Sequence, residues 1–206
     1  MGGLFSMDGK LAQFMSKLAD VILLNVLLVA CSIPIVTAGA AATAFYYVML
    51  KLVKNEESYV FRSFFKAFRE NFKQSTIVYF IILAVAAIVG IDFYFAVKQG
   101  NGVGNPLFVA FCVIAVFFYM GSCYLFPLMA FFENSTKKVF KNAFLMAIAH
   151  FPYTILIALI SFFPWFVLLF GQLLPATFFN LLIGFSLSGF VNSQLFRRIF
   201  KRYIPG

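Results

Sequence analysis

The sequence predicts an all-α integral membrane protein, a six-span helical bundle with two cytoplasmic amphipathic helices. Of its 206 residues, 63% are hydrophobic and only 11% are charged, whereas a soluble domain carries about 25% charged residues. Six apolar stretches have, or nearly have, the ~20 residues that a helix needs to cross a bilayer, and Lys and Arg residues cluster at alternate ends of them. These proportions exclude a soluble globular domain and a disordered chain.

The predicted spans are apolar runs bounded by prolines and charges. Pro34 ends the first span, Pro106 opens the fourth and Pro175 separates the last two, because proline ends or begins a helix. We predict a single transmembrane domain over residues 1–206, with spans at about 11–33, 37–53, 75–97, 106–132, 152–174 and 176–196. The loops expected on the outer side are short, at about 32–35, 98–105 and 171–176.

The positive charges predict the orientation. Fifteen of the 16 Lys and Arg residues fall at the N-terminus, between spans two and three, between spans four and five, or at the C-terminus, and only Lys98 falls elsewhere. Because basic loops stay in the cytoplasm, we expect an even number of spans in a bacterial cell membrane, with both termini cytoplasmic. A five-span arrangement would place one basic cluster outside, so it is rejected.

The segment over residues 56–73 predicts one cytoplasmic amphipathic helix. Its phenylalanines recur at helical spacing on one face, and four cations follow a similar spacing on an adjacent face. Such a helix can lie on the lipid surface with its cations at phosphate headgroups, or it can dock a protein partner. The candidate lipid- or partner-docking residues are Phe61, Arg62, Phe64, Phe65, Lys66, Phe68, Arg69, Asn71, Phe72 and Lys73.

A second amphipathic segment, over residues 135–150, resembles the first at an offset of 79 residues. Val60-Phe61-Arg62 aligns with Val139-Phe140-Lys141, and Ser75 aligns with Thr154. Each copy follows an inward span and leads into an outward one, which is typical of a parallel internal repeat about an axis along the membrane normal. Chance is the alternative, because the chain contains 31 phenylalanines.

Small and polar residues within the spans form a candidate bundle seam or polar path. Without a hydrophobic force between helices in lipid, such residues hold a bundle together, although they can also line a route for a solute. A stripe at four-residue spacing runs along span six, and Trp165 beside Pro164 can fill a kink or stack on a sugar. The candidates are Gly39, Thr43, Trp165, Asn180, Gly184, Ser188 and Asn192.

The sequence contains no motif of a known catalytic, cofactor-binding or metal site. It has no phosphate-binding Gly-x-x-x-x-Gly-Lys-Ser/Thr, no His-Glu-x-x-His and no Gly-x-Ser-x-Gly. The three cysteines lie in apolar runs, where they are expected to be small buried hydrophobes. The net charge of +9 follows the membrane rule above and does not indicate nucleic acid. We expect a non-enzymatic protein without a cofactor.

Two tracts resemble the YesL family, small bacterial membrane proteins of unknown function. They are Gly39-Ala40-Ala41-Ala42-Thr43-Ala44 with the Tyr47–Val53 run that follows, and Phe64 to Gln74. Members are often encoded beside carbohydrate ABC transporters, so the resemblance implies an accessory or interaction role in sugar uptake or its regulation. The partners expected are membrane lipids and either ABC-transporter subunits or a second copy of the chain. A small transporter or channel is the alternative function.

Overall fold

The computed structural model describes residues 10–56, 59–98, 106–170 and 174–203, and these residues fold into packed helices without a β-strand. This confirms the predicted all-α membrane class. The helices are α1 (Lys10–Ser32), α2 (Ala38–Lys54), α3 (Val60–Lys98), α4 (Pro106–Phe131), α5 (Thr136–Ala149), α6 (Phe151–Phe170), α7 (Leu174–Phe179) and α8 (Phe185–Phe200). Residues 99–105 of the predicted outer loop at 98–105, and residues 171–173 of the predicted outer loop at 171–176, lie outside the described residues.

Five helices among the described residues are long and apolar enough to cross a membrane, namely α1, α2, α3, α4 and α6. Their outward side chains are large and apolar, for example Ile88, Ile114 and Leu159, as expected for lipid-facing surfaces. The predicted sixth span differs from these five. It is a helical run in which a π-helical segment, Asn180–Gly184, separates α7 from α8. The sixth crossing therefore remains a prediction.

Helix α2 occupies the centre of the bundle, where it contacts α1, α3, α4 and α8. Its first half is built from glycine and alanine, so neighbouring backbones can approach closely. Ala40, Ala41 and Ala44 are fully buried. A 3₁₀ turn, Ile35–Thr37, joins α1 to α2. The Thr37 hydroxyl does not cap α2, because it donates to the Cys31 carbonyl at 2.6 Å and to the Pro34 carbonyl at 2.8 Å.

Helix α3 corrects the prediction of a separate amphipathic helix before span three. One helix runs from Val60 to Lys98, because the predicted junction at Gln74-Ser75-Thr76 contains neither glycine nor proline. Helix α3 is antiparallel to α2, with the Thr43 and Ser75 hydroxyls 2.7 Å apart and the Thr76 hydroxyl donating to the Val36 carbonyl. The cationic turns of α3 therefore run alongside α2.

The second amphipathic segment keeps its own helix, α5, which ends at Ala149 before α6 begins at Phe151. The two segments thus differ in their connection to the following span. Their buried positions nevertheless correspond at the offset of 79 residues: Val60 and Val139, Phe64 and Ala143, Ser75 and Thr154, and Val78 and Ile157 are buried as pairs. Ser75 bonds a hydroxyl of α2, and Thr154 lies 2.7 Å from the Tyr124 hydroxyl of α4. This shared pattern supports an internal repeat of helix packing.

Candidate functional site

The solvent- or lipid-facing side of α3 carries six of the ten candidate docking residues, and we name this set the α3 face. The cations recur once per helical turn, and an exposed phenylalanine lies at each end. The opposite side of the helix packs on α2 through small and apolar residues. The packing of α3 on α2 therefore does not require the exposed cations. The α3 face consists of Phe61, Arg62, Lys66, Arg69, Phe72 and Lys73.

Phenylalanine rings form a ladder beneath these cations. The ring centroids of Phe61 and Phe65 are 4.8 Å apart, those of Phe65 and Phe68 are 6.3 Å apart, and those of Phe68 and Phe72 are 5.7 Å apart. Aromatic pairs at this separation stabilise each other by about 0.5–1.5 kcal/mol beyond burial. Phe65, Phe68 and Asn71 are partly buried, so the ladder anchors the α3 face to the bundle.

Phe64 was predicted as a docking residue, and the structure contradicts that role. Its side chain is fully buried in a core cluster with Leu24 of α1, with Val48 and Leu52 of α2, and with Ala67 of its own helix. The phenylalanine row spans more than one side of α3, and the side that contains Phe64 faces α2. Phe64 therefore holds α3 in place and is not available to a partner.

Gly39 and Thr43 lie at the α2–α3 contact. A Cβ atom on Gly39 would lie 2.5 Å from the Ser75 carbonyl oxygen and 2.7 Å from the Tyr79 Cβ, so the two backbones approach as closely as glycine allows. The Thr43 hydroxyl, fully buried, bonds both the Ser75 hydroxyl and, at 3.2 Å, the Gly39 carbonyl. This pair is a packing seam between two helices.

The predicted stripe on span six lies in a different seam, largely against α6. The Asn180 side-chain amide donates to the Pro164 carbonyl at 3.0 Å, and the Asn192 amide donates to the Ser161 hydroxyl at 2.8 Å. Gly184 makes room for the Asn180 side chain, which would collide with any Cβ at that position. Ser188, also on the stripe, is half-buried.

A polar cluster around Asn192 was missed by the sequence analysis. The Tyr46 hydroxyl of α2 lies within side-chain hydrogen-bonding reach of Asn192 and Ser161, and the Cys123 thiol of α4 lies within reach of Ser161 and Tyr119. Four helices thus bring hydroxyl, thiol and amide groups together inside the bundle. Asn192 was predicted as part of the stripe on span six, but no local sequence pattern connects it with Tyr46, Cys123 and Ser161, which lie on three other helices.

Three buried polar atoms on α8 lack a hydrogen-bond partner: Asn192 Oδ1, Ser186 Oγ and Ser193 Oγ. An unpaired buried polar group costs about 1–3 kcal/mol, and such groups often accept a water or a polar ligand. Of these three atoms, Asn192 Oδ1 belongs to the polar cluster around Asn192.

Trp165, predicted to fill a kink or to face a polar path, does neither inside the bundle. Its side chain is 56% exposed on the outer surface of α6, and its ring lies edge-to-face on Phe185 of α8, 5.4 Å between centroids. The neighbouring Pro164 is the buried residue of the two. Trp165 cannot line an interior route from this position.

His150 closes the junction between α5 and α6. Burial, together with the positive charge of Arg202, lowers the pKa of His150 below its usual value of 6.5, and its Nε2 atom lies 3.0 Å from the Tyr203 hydroxyl. Because the folded-state pKa is the lower one, the neutral imidazole favours folding. This stabilisation is present above pH ~6.5 and is lost as the pH falls below it.

We therefore expect the thermal midpoint of the detergent-solubilised protein to fall more between about pH 7.5 and about pH 5 than the midpoint of His150→Gln. Differential scanning fluorimetry of the two proteins at both pH values checks this. An equal fall of the thermal midpoint in the wild type and in His150→Gln would show that a group other than His150 causes the loss of stability at low pH.

The described residues contain no group of three or more His, Cys, Asp or Glu side chains placed to hold a metal ion. Cys31, Cys112 and Cys123 are each half-buried and unpaired with another cysteine.

The comparisons with known proteins give one match. The model of a family described as "Protein of unknown function, DUF624" matches residues 21–93, which include the second half of α1, all of α2 and most of α3. A search of curated proteins and a search of solved structures found no match. The matched region contains the whole α2–α3 contact and the α3 face.

Proposed function

We propose that this chain is a non-enzymatic accessory membrane protein of the YesL family, which docks a partner on the α3 face and works with a carbohydrate ABC transporter or its regulation. The α3 face is the observation that carries this proposal. Four cations and two exposed phenylalanines recur on one side of a helix whose other side is already fixed to α2. The match over residues 21–93 and the resemblance to that family support the assignment.

The chemistry of the α3 face suits a protein surface that combines acidic and apolar groups. Exposed aromatic side chains with adjacent arginines are typical of interface hot spots, because a ring supplies apolar area and a guanidinium supplies planar hydrogen bonding. Glu70 is the exposed acid within the same turns. The four cations of the α3 face outnumber it, so the net charge of this part of α3 is positive. Lipid headgroups are the competing occupant, because they present phosphate to the same cations.

A charge-neutralised variant tests the docking role. We compare Arg62→Gln/Lys66→Gln/Arg69→Gln/Lys73→Gln with a control that removes four exposed cations elsewhere, Lys137→Gln/Lys138→Gln/Lys141→Gln/Arg202→Gln. Each protein is purified in mild detergent from a host grown on several sugars, and transporter subunits are identified by mass spectrometry. The wild type and the control should retain an ABC-transporter membrane subunit, and the α3-face variant should lose it by about tenfold or more.

Two results would overturn this proposal. Recovery of the wild type without any transporter subunit under every sugar would contradict the association with ABC transport. Equal recovery of that subunit with the α3-face variant would contradict docking on this helix. Size-exclusion profiles of both variants confirm that each remains folded.

A small transporter or channel is the second candidate function, and the polar cluster around Asn192 favours it. Asn192, which carries a buried acceptor oxygen without a partner, lies beside Tyr46 and Ser161, and polar groups of this kind are what a polar solute requires within an apolar bundle. Flux of labelled sugars or ions into proteoliposomes of the purified chain tests this function. Flux that falls on Asn192→Leu would support a transport role, and no flux with the wild-type protein would reject it.

A further inference from the structure

A cavity of about 440 Å³ opens at the end of the bundle where α1, the C-terminus of α2 and the C-terminus of α8 meet. Its polar lining consists of Lys17, Asn55, Gln194, Arg197, Arg198 and Lys201, and Leu52, Val53 and Phe190 supply its apolar wall. No Asp or Glu is among the residues that line this cavity. Four positive side chains therefore converge on one space without an acidic partner in its wall. We name this space the basic cavity.

Two of the cations are held in place by neutral groups. The Lys17 ammonium donates to Asn55 Oδ1 at 2.6 Å, and the Arg197 guanidinium donates to the Val53 carbonyl at 3.3 Å. Asn55 adopts a left-handed conformation, φ 60°, as the C-cap of α2, which aims its side chain at α1. These neutral acceptors position the two cations and carry no negative charge of their own.

Helix dipoles account for only part of this arrangement. Arg197 and Arg198 lie in the last turn of α8, where cations are favourable because the helix end is partly negative. Lys17 comes from the interior of α1, so no helix terminus of its own explains its place in the basic cavity. Charges of one sign that are brought together from two helices repel each other, and an anion that lies between them offsets this repulsion.

We infer that the basic cavity binds a phosphate-bearing anion. Guanidinium groups pair with phosphate oxygens through two parallel hydrogen bonds, and ammonium groups supply point charges to the same oxygens. The volume falls within the range of about 300–1,000 Å³ that is typical of small-ligand sites, so it holds more than a bare phosphate. The apolar wall of Leu52, Val53 and Phe190 suits the carbon part of an organic phosphate or of a phospholipid headgroup.

This site is separate from the proposed docking function, because none of the residues of the basic cavity belongs to the α3 face. Loss of anion binding and loss of a transporter partner can therefore be observed independently.

Ligand titrations on the full-length chain test this inference. In one arm, sn-glycerol 3-phosphate and inorganic phosphate are titrated against the protein in a neutral detergent. In the other arm, native mass spectrometry measures retained lipid after reconstitution in nanodiscs of phosphatidylcholine alone or with phosphatidylglycerol. We compare the wild type, Arg197→Gln/Arg198→Gln, the exposed single change Gln194→Glu, and the control Lys137→Gln/Lys138→Gln.

The wild type and the control should bind alike, and both cavity variants should bind at least tenfold more weakly. Binding of the soluble phosphates in the titration identifies a soluble ligand. Selective retention of phosphatidylglycerol identifies a lipid headgroup. Either result supports the site. The inference is overturned if wild-type protein prefers neither the soluble phosphates nor phosphatidylglycerol. It is equally overturned if both cavity variants bind the ligand as tightly as the control does. Gln194→Glu leaves all four cations and the core in place, and Arg197→Gln/Arg198→Gln is first verified as folded.

Discussion

Replacing Asn25 with leucine is expected to destabilise the protein by roughly 2–6 kcal/mol, because two buried backbone groups lose their partners at about 1–3 kcal/mol each. The Asn25 amide nitrogen donates to the Leu181 carbonyl at 2.6 Å, and its amide oxygen accepts from the Ser186 backbone N–H at 2.8 Å. Leu181 lies within the π-helical segment and Ser186 lies two residues after it, where the α-helical bonding pattern is broken. A fully buried side chain of α1 therefore completes the hydrogen bonding of another helix.

Asn71→Leu is the matched control for this change. The Asn71 amide donates only within its own helix, to the Ala67 carbonyl at 3.0 Å, so we expect a loss below about 1 kcal/mol. Reversible unfolding in mixed micelles with rising sodium dodecyl sulfate measures both free energies of unfolding. Equal losses for the two leucine variants would contradict a bridging role for Asn25.

Adding one methyl group at Gly39 should be the second most damaging change, at about 3 kcal/mol. The new Cβ would meet the Ser75 carbonyl and the Tyr79 Cβ, and neither can rotate away because one is backbone and the other is fixed to it. Helices α2 and α3 must separate, which stretches the buried Thr43–Ser75 hydrogen bond. Overpacking of this kind costs about 1–3 kcal/mol, occasionally more, and the strained hydrogen bond adds to it.

Gly90→Ala supplies the control, because no heavy atom lies within 4 Å of the position that its Cβ would take, apart from the adjoining residues and backbone of its own helix. Alanine favours a helix over glycine by about 1 kcal/mol, so this variant should equal or exceed the wild type in stability. The same micelle unfolding experiment compares the two alanine variants. A Gly39→Ala protein as stable as Gly90→Ala would show that the α2–α3 contact is looser than described.

The sequence was sufficient for the membrane class and for most helices, because hydropathy acts over long windows and proline marks several boundaries. The prediction was wrong within α3, where a change from cationic to apolar composition predicted a break between two helices. Composition changes the environment of a helix without ending it, and Gln74-Ser75-Thr76 contains no residue that would stop the hydrogen bonding. The buried position of Phe64 was missed because phenylalanine at helical spacing is equally compatible with a lipid-facing surface and a core.

The interior polar cluster and the basic cavity depend on contacts between distant residues. Tyr46 and Asn192 are far apart in sequence, as are Lys17 and Arg197, and the members of each pair lie on different helices. The cations of the basic cavity were used in the sequence analysis only as topology signals. Their convergence becomes visible only when α1 and α8 are placed side by side.

The central claim is that the cationic end of the bundle faces the cytoplasm, and cysteine labelling tests it most directly. In a background with Cys31, Cys112 and Cys123 replaced by alanine, single cysteines are placed at the exposed positions Lys66, Arg198 and Lys98. A membrane-impermeant maleimide should label K98C in intact cells, and should label K66C and R198C only in inverted vesicles. Labelling of K66C or R198C in intact cells would contradict the account, because the α3 face and the basic cavity would then lie outside the cell.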